Sequence, residues 1–382
     1  MLRTRAPLAA ALAAVASTAM ATTMLAVPVQ ADDSGGPAGA PPWKTVATGL
    51  DNPRLLSFSG RALYVAEAGV GGAGPCVEGP EGESCFGLSG AITRITHHGS
   101  HRVVTGLPSL ASPEGGGAIG PSDVVVPAHR RGSKHHFAAT IGLGNAPEVR
   151  DTFGAAGRAL GTVVAGSLKG GPVHIVGDLA AHEQKRDPDG NGPDSNPTGL
   201  MRDGGSVVVT DSGGNSLLRV RHHRSTRTLA VFPNTDVPDP FAPGTTVPMQ
   251  AVPTSVVRGP DGAYYVSQLT GFPFPTGGSS IWRFVRGEEP TVYATGLTNV
   301  TDLAWHKGSL YAVQLSSAGL LNEPPGALPT GSLVKVAAGA APTPVAEGLP
   351  APYGVALRGG KAFVTTCAVC PDGGSVVSID LD

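Results

Sequence analysis

From Trp43 onward, short β-branched and aromatic runs separated by Gly, Pro, Asn and Asp recur in a fixed order, with a period of roughly 57 residues. The first run of each unit closes near Gly-Leu, as in Thr45-Val46-Ala47-Thr48-Gly49-Leu50, and returns at 103–107, 292–297 and 345–349, with weaker copies at 173–179 and 229–232. The second opens on proline at Pro53, Pro121, Pro197, Pro253 and Pro352, with Val300 in the remaining slot. Proline suits the first residue of a strand, where no ladder donor is needed. The third is an apolar run closing on a polar residue, at Glu67, Thr140, Asp211, Gln268, Gln314 and Thr366. The fourth is Gly or Ser followed by alternation, as in Ser280-Ile281-Trp282-Arg283-Phe284, with a shorter copy at 161–164.

Four short strands per unit and six units predict an all-β fold, a six-bladed β-propeller with four-stranded blades. The repeat starts on its first element and ends, near Ile379, on its fourth. The N-terminal strand is therefore expected to complete the last blade as its outermost strand and to close the ring, leaving only short protected edges.

Composition sharpens this picture. The 382 residues include 55 Gly and 35 Pro, close to the level at which disorder is the default, yet 41% are hydrophobic and only 15% charged. Here the glycines and prolines follow the blade period, at turns such as Arg202-Asp203-Gly204-Gly205 and Gly259-Pro260-Asp261-Gly262. A formal net charge of −2 argues against a nucleic-acid partner. Arg3 and Arg5 precede an apolar run that ends on Val29-Gln30-Ala31, which reads as a signal peptide over residues 1–31; the alternative is an uncleaved membrane anchor. Residues 32–42 have linker composition, and 43–382 form the single propeller domain. A secreted, extracellular and monomeric bacterial protein is the expectation.

Connections in a propeller alternate between two faces. The long ones here, at 69–89, 108–120, 142–160, 180–196, 233–252, 269–279 and 315–330, fall on one face, where binding usually resides. At the tunnel mouth this face is expected to present Asn52, Arg54, Glu67, Asp123, Thr140, Asn145, Asn196, Asp211, Asn215, Gln268, Asn299, Asp302, Gln314, Tyr353 and Thr366. Such a polar set fits a shallow site for a small molecule, with Glu67, Asn145, Asn196, Asp211 and Asn299 as candidate oxygen ligands for a divalent cation such as calcium. The competing reading is that these groups cap strand ends. Nine of the eleven histidines, at 97, 98, 101, 129, 135, 136, 222, 223 and 306, are expected on the opposite face, which would gain positive charge in mild acid; solvated turn residues are the preferred reading, and pH-dependent adhesion to an anionic cell-wall polymer is the other. The partner of the protein as a whole is expected to be a small molecule, an extracellular protein or a cell-wall polymer.

Four cysteines in a secreted chain are expected to be oxidised. Local disulfides Cys76–Cys85 and Cys367–Cys370 are the preferred pairing; bridges between the two loops and a four-cysteine zinc site are the alternatives. Asp187-Pro188-Asp189-Gly190-Asn191-Gly192 matches the start of a calcium loop, but position twelve is Thr198 instead of a bidentate Glu, so a turn capped by Asp and Asn is expected. No nucleophile elbow, phosphate loop or His-Glu-x-x-His is present.

Val65-Ala66-Glu67-Ala68-Gly69 with Gly74-Pro75-Cys76, Ile141-Gly142-Leu143-Gly144-Asn145, Asp194-Ser195-Asn196-Pro197, Asp211 to Val220, and Leu269-Thr270-Gly271-Phe272-Pro273-Phe274-Pro275 stand out as a set. Together they resemble the ScyD/ScyE family of secreted propellers encoded in scytonemin gene clusters. The resemblance covers about residues 43–382. It implies an exported six-bladed propeller related to NHL and lactonase-like repeats, without a settled activity. It also implies acidic residues where Gln268 and Gln314 stand here, and so a weakened cation site at the mouth. The leading expectation is a noncatalytic binding or scaffold module using its long-loop face. The alternative is a divalent-metal-dependent lactonase-type hydrolase; a quinone-dependent sugar dehydrogenase lacks its basic and histidine constellation.

Overall fold

A computed structural model describes residues 42–79, 82–127, 136–221 and 225–381. The expected signal peptide, most of the linker, and the histidines at 129, 135, 222 and 223 lie outside the described residues.

The second element of each repeat, which opens on proline or on Val300, is the innermost strand of its blade, counted outward as the first; it contacts its counterpart in the next blade, and Pro53–Ser59 contacts Val355–Arg358, so these strands form a closed inner ring. Blade 1 runs outward through Pro53–Ser59, Ala62–Glu67, Gly82–Thr96 and Gly99–Ala111, with the short Cys76–Gly79 strand folded back on Gly82–Thr96. Blade 2 comprises Pro121–Val125, His136–Ile141, Thr162–Ser167 and His174–Asp178, and blade 3 Pro197–Asp203, Ser206–Asp211, Ser216–Arg221 and Ser225–Val231. Blade 4 comprises Pro253–Arg258, Tyr264–Gln268, Ser279–Phe284 and Thr291–Leu297. Blade 5 comprises Val300–His306, Ser309–Gln314, Thr330–Val336 and Thr343–Pro350. Blade 6 has Val355–Arg358, Lys361–Thr366 and Gly374–Asp380, and its outermost strand is Trp43–Leu50, which pairs antiparallel with Gly374–Asp380. The expected closure is thus present, and the six-bladed all-β reading holds.

The second strands are the most buried elements, since blades cover them on both sides; Ala62–Glu67 and Tyr264–Gln268 are buried at every position. Apolar clusters run from blade to blade, with Tyr265 and Ile281 of blade 4 packing on Leu303 and Leu310 of blade 5.

One device recurs at the inner ring. Register shifts within Pro53/Leu56, Pro121/Asp123, Pro197/Leu200, Pro253/Val256 and Val300/Asp302 place a bulge near the start of five inner strands. A bulge leaves a backbone N–H without a ladder partner. In blades 2, 3 and 4 a hydroxyl on the penultimate residue of the second strand accepts it: Asp123 N to Thr140 Oγ1 at 3.0 Å, Gly199 N to Thr210 at 2.8 Å and Ser255 N to Ser267 at 2.8 Å; in blade 6 Thr365 likewise accepts from Gly354 N, just before the inner strand, at 2.8 Å. Blades 1 and 5 carry Ala66 and Val313 at that position.

Hydroxyls of this ring then donate to carbonyls of the following blade. Thr140 donates to Thr198 O at 2.5 Å, Thr254 to Val300 O at 2.9 Å, Thr301 to Tyr353 O at 2.6 Å and Thr365 to Arg54 O at 2.9 Å. Blade 3 reaches Pro253 O through Ser212, and blade 1 reaches Val124 O through Ser57. Thr140 therefore belongs one place earlier than Glu67 or Asp211 in the repeat, because Ile141 ends its strand. Successive strand residues face opposite sides, so that one-place shift separates a hydroxyl aimed at the next blade from an end cap.

The latches are testable. Thr301→Val and Thr365→Val should each lower stability by about 1–3 kcal/mol in urea titrations, because an isosteric methyl strands a buried carbonyl, and Thr365→Val should cost more because it also orphans Gly354 N–H. Thr343→Val, on the exposed outer strand, serves as control; equal losses at all three sites would show that the latches carry no special weight.

Candidate functional site at the tunnel mouth

The long connections converge on a pocket of about 180 Å³ at the ring axis. Its polar lining is Arg54, Ser122, Asn196, Thr198 and Tyr353, and its apolar walls are Ile119, Leu269, Phe274, Leu315, Leu320 and Val369. Every blade contributes, either through the start of its inner strand or through the loop after its second strand. Arg54 leans on the Tyr353 ring, with the guanidinium carbon 4.7 Å from the centroid, and donates to Ala118 O at 2.5 Å. No carboxylate among the described residues lies within ion-pair distance of it. Gly142 makes room for Asn196, since a Cβ there would stand 2.5 Å from Asn196 Oδ1. The Phe-Pro segment of blade 4 delivers Phe274 in a left-handed conformation at φ 54°, after Thr270 at φ 75°. Such a backbone in a β-branched residue costs of order 1–3 kcal/mol and persists only where its surroundings fix it.

Of the residues expected at this mouth, Arg54, Asn196 and Tyr353 line the pocket. The polar strand-end residues are engaged in holding the loops. Glu67 is fully buried; it accepts from Asp51 N at 2.8 Å and from Thr93 Oγ1, and forms an ion pair with Arg102 at 2.6 Å. The hydrogen bond from Arg102 to Glu67 raises the guanidinium's pKa further. Asp211 accepts from Asn196 N at 2.6 Å and Ser195 Oγ at 2.7 Å; burial pushes it up to about 6 against those bonds. Gln314 accepts from Thr298 N and donates to Ser332, Gln268 accepts from the Trp282 indole, and Thr366 pairs with Ser375.

Asn52 and Asn299 precede inner strands with φ of 47° and 44°, a conformation asparagine tolerates. Their side-chain amides donate to Gly69 O and Leu269 O. Asn215 joins Val252 N to Asp189, and Asn145 donates to Glu78 O in the hairpin closed by Cys76–Cys85. Both preferred disulfides are formed, Cys76–Cys85 and Cys367–Cys370, so none of the four sulfurs is left for zinc.

Asp123 and Asp302 lie deeper. They line a cavity of about 590 Å³ formed by the later parts of the inner strands, with Arg202, Arg258 and Trp305 among its other walls. Each joins adjacent blades: Asp123 Oδ2 accepts from Leu200 N at 2.7 Å, and Asp302 accepts from Val355 N at 2.7 Å and Ser255 Oγ at 2.6 Å. On the turn face, His97, His98 and His101 are exposed, whereas the ring nitrogen Nε2 of His306 is buried without a hydrogen-bond partner.

A second acidic group stands apart from the mouth. The helix Leu179–Arg186, which the repeat pattern does not predict, places fully buried Glu183 beside Asp187 and Asp189 of the loop that follows.

No protein-family model matches the chain, and no curated protein matches its sequence. Among solved structures it is similar to a glucose dehydrogenase, at 12% identity over 89% of this chain and 99% of that one, with a TM-score of 0.48. It is also similar to a catalytically inactive virginiamycin B lyase from Staphylococcus aureus, at 12% identity over 89% and 98% of the two chains and a TM-score of 0.44. A chain of a nidogen/laminin complex aligns at 16% identity over 78% and 88%, with a TM-score of 0.43. At such identities the likeness concerns the path of the chain, not its side chains.

Burial pushes Asp302 up to about 8, with the charge of Asp123 adding to it, and Asp123 up to about 7. The folded chain then keeps protons that the unfolded chain releases near pH 4, so stability should fall as pH rises from about 4 towards 8. Asp302→Asn should remove up to about 1.4 kcal/mol per pH unit of that slope, read from urea midpoints at about pH 5, 6.5 and 8. A slope unchanged by the substitution would show that Asp302 is ionised in the fold.

Proposed function

We propose that this chain is an extracellular binding propeller of the ScyD/ScyE kind, noncatalytic and monomeric, that takes a small, largely apolar ligand bearing one acidic group at the tunnel mouth. Two disulfides support an oxidising compartment, in keeping with a signal peptide over residues 1–31. The observation that carries the reading is the pocket lining. Arg54 is its one charged residue among the described residues, and no Asp, Glu, His, Cys or Lys lines it. A guanidinium without a carboxylate partner, at the rim of an apolar cup, favours a planar anion held by paired hydrogen bonds.

The same lining weighs against the hydrolase alternative. A divalent-metal-dependent lactonase needs carboxylates converging on an ion that activates water. Of Glu67, Asn145, Asn196, Asp211 and Asn299, only Asn196 lines the pocket, and the two carboxylates are engaged by Arg102 and by backbone and serine donors. The exposed histidines of the turn face remain a second proposed contact, for an anionic cell-wall polymer.

Calorimetric titration with benzoate and octanoate against their neutral amides tests the binding site. The carboxylates should bind at least about tenfold more tightly than the amides, a difference of about 1.4 kcal/mol, and Arg54→Ala should abolish the preference. Equal binding of acid and amide would remove Arg54 from the reading, and calcium-dependent turnover of a lactone would replace it with the hydrolase.

A further inference from the structure

The acidic group behind the helix Leu179–Arg186 has the make-up of a cation site. Glu183 is fully buried, and neither of its carboxylate oxygens has a hydrogen-bond partner among the described residues. A buried, unpartnered carboxylate is among the costliest groups a fold can hold. Oxygens of Glu183, Asp187 and Asp189 lie within 4.8 Å of one another. That is the span of ligands on one calcium ion, where each oxygen stands at about 2.3–2.6 Å from the metal. Asp194, half-buried beside them, adds a third buried carboxylate oxygen, Oδ1, without a partner among the described residues. None of these four acids forms an ion pair among the described residues, and the nearby bases of the helix, Lys185 and Arg186, are exposed.

The surroundings are shaped for these carboxylates. A Cβ on Gly214 would stand 2.5 Å from Glu183 Oε2, and one on Gly213 would stand 2.7 Å from Asp194 Oδ1, so both glycines give up volume to the acids. Asp187 is the C-cap of the helix, with φ 40°, at the end where the helix dipole disfavours negative charge. Its Oδ1 accepts from Gly192 N at 3.2 Å, and Asp189 accepts from Asn191 N at 3.0 Å, the Asn191 amide at 2.8 Å and the Asn215 amide at 2.7 Å, which leaves Asp187 Oδ2 and one lone pair of Asp189 Oδ1 for an ion. The loop begins as D-x-D-G-N-G without a Glu at its twelfth position, and Glu183 stands one helical turn before Asp187.

We propose that Glu183, Asp187 and Asp189 bind a calcium ion that pins the 187–195 loop to blade 3. An all-oxygen, carboxylate-rich set on an irregular loop suits calcium, with its flexible coordination of six to eight oxygens, better than magnesium or a nitrogen- and sulfur-seeking metal. The pinned loop leads directly into Asn196, so the ion supports one wall of the mouth pocket from outside it.

Protein stripped with chelator is titrated with calcium chloride by calorimetry, and melted with and without the ion. One calcium per chain is expected, with a higher Tm and magnesium at least tenfold weaker. Glu183→Gln should weaken calcium at least tenfold, yet melt no lower than the parent in chelator, because it removes the unpartnered buried charge. Asp187→Asn, at a half-buried position, should weaken calcium similarly and decides the matter alone if Glu183→Gln does not fold. Absence of a calcium-dependent shift in the parent, or a shift retained in full by the variants that fold, overturns the proposal.

Discussion

The fold depends on how neighbouring inner strands are joined, because a propeller's blades are separate sheets with no ladder between them. In this chain the join is a hydroxyl that crosses the gap to a carbonyl of the next blade, as Thr254 does to Val300 and Thr301 to Tyr353. The interblade apolar packing is extensive but not directional, whereas a buried hydroxyl that must reach one carbonyl of the next blade defines one arrangement. Thr365 is the most informative case. It takes the Gly354 N–H and gives its own proton to Arg54 O, so that the last blade is attached to the first at the axis, while Trp43–Leu50 attaches them at the rim.

The repeat was legible in the sequence because each strand is short, alternates and is bounded by turn residues, and the same order returns six times. The bulge was not, since it changes register without changing composition. Thr140 shows the consequence: its place at the end of an apolar run groups it with Glu67 and Asp211, yet it faces the adjacent blade. The disulfides were legible for a different reason, as Cys76 and Cys85 are cross-strand partners in a hairpin whose sequence separation is short.

The candidate site was harder to read, because a polar residue at a loop junction has two uses that look alike in sequence. Glu67, Asp211 and Gln314 each accept the N–H of a residue just before an inner strand, namely Asp51, Asn196 and Thr298. They fix the loops that shape the mouth without lining it. Glu183 escaped for a related reason: an all-β pattern gives no cause to look for a helix between blades 2 and 3. A signal was nevertheless present, since Glu183 and Asp187 stand four residues apart and so share one face of any helix that forms there.

Fold and site meet in the same bonds. The carbonyls that receive the latches include those of Arg54, Thr198 and Tyr353, and the side chains of these three residues line the mouth pocket. A carbonyl held by a neighbouring blade fixes the backbone of its own residue, and so the direction in which the side chain leaves it. Arg54 thus stands over the Tyr353 ring because blade 6 holds Arg54 and blade 5 holds Tyr353, each through one threonine. Ring closure and pocket geometry are therefore one constraint, and the long loops vary around a rim whose polar groups the scaffold has already aimed.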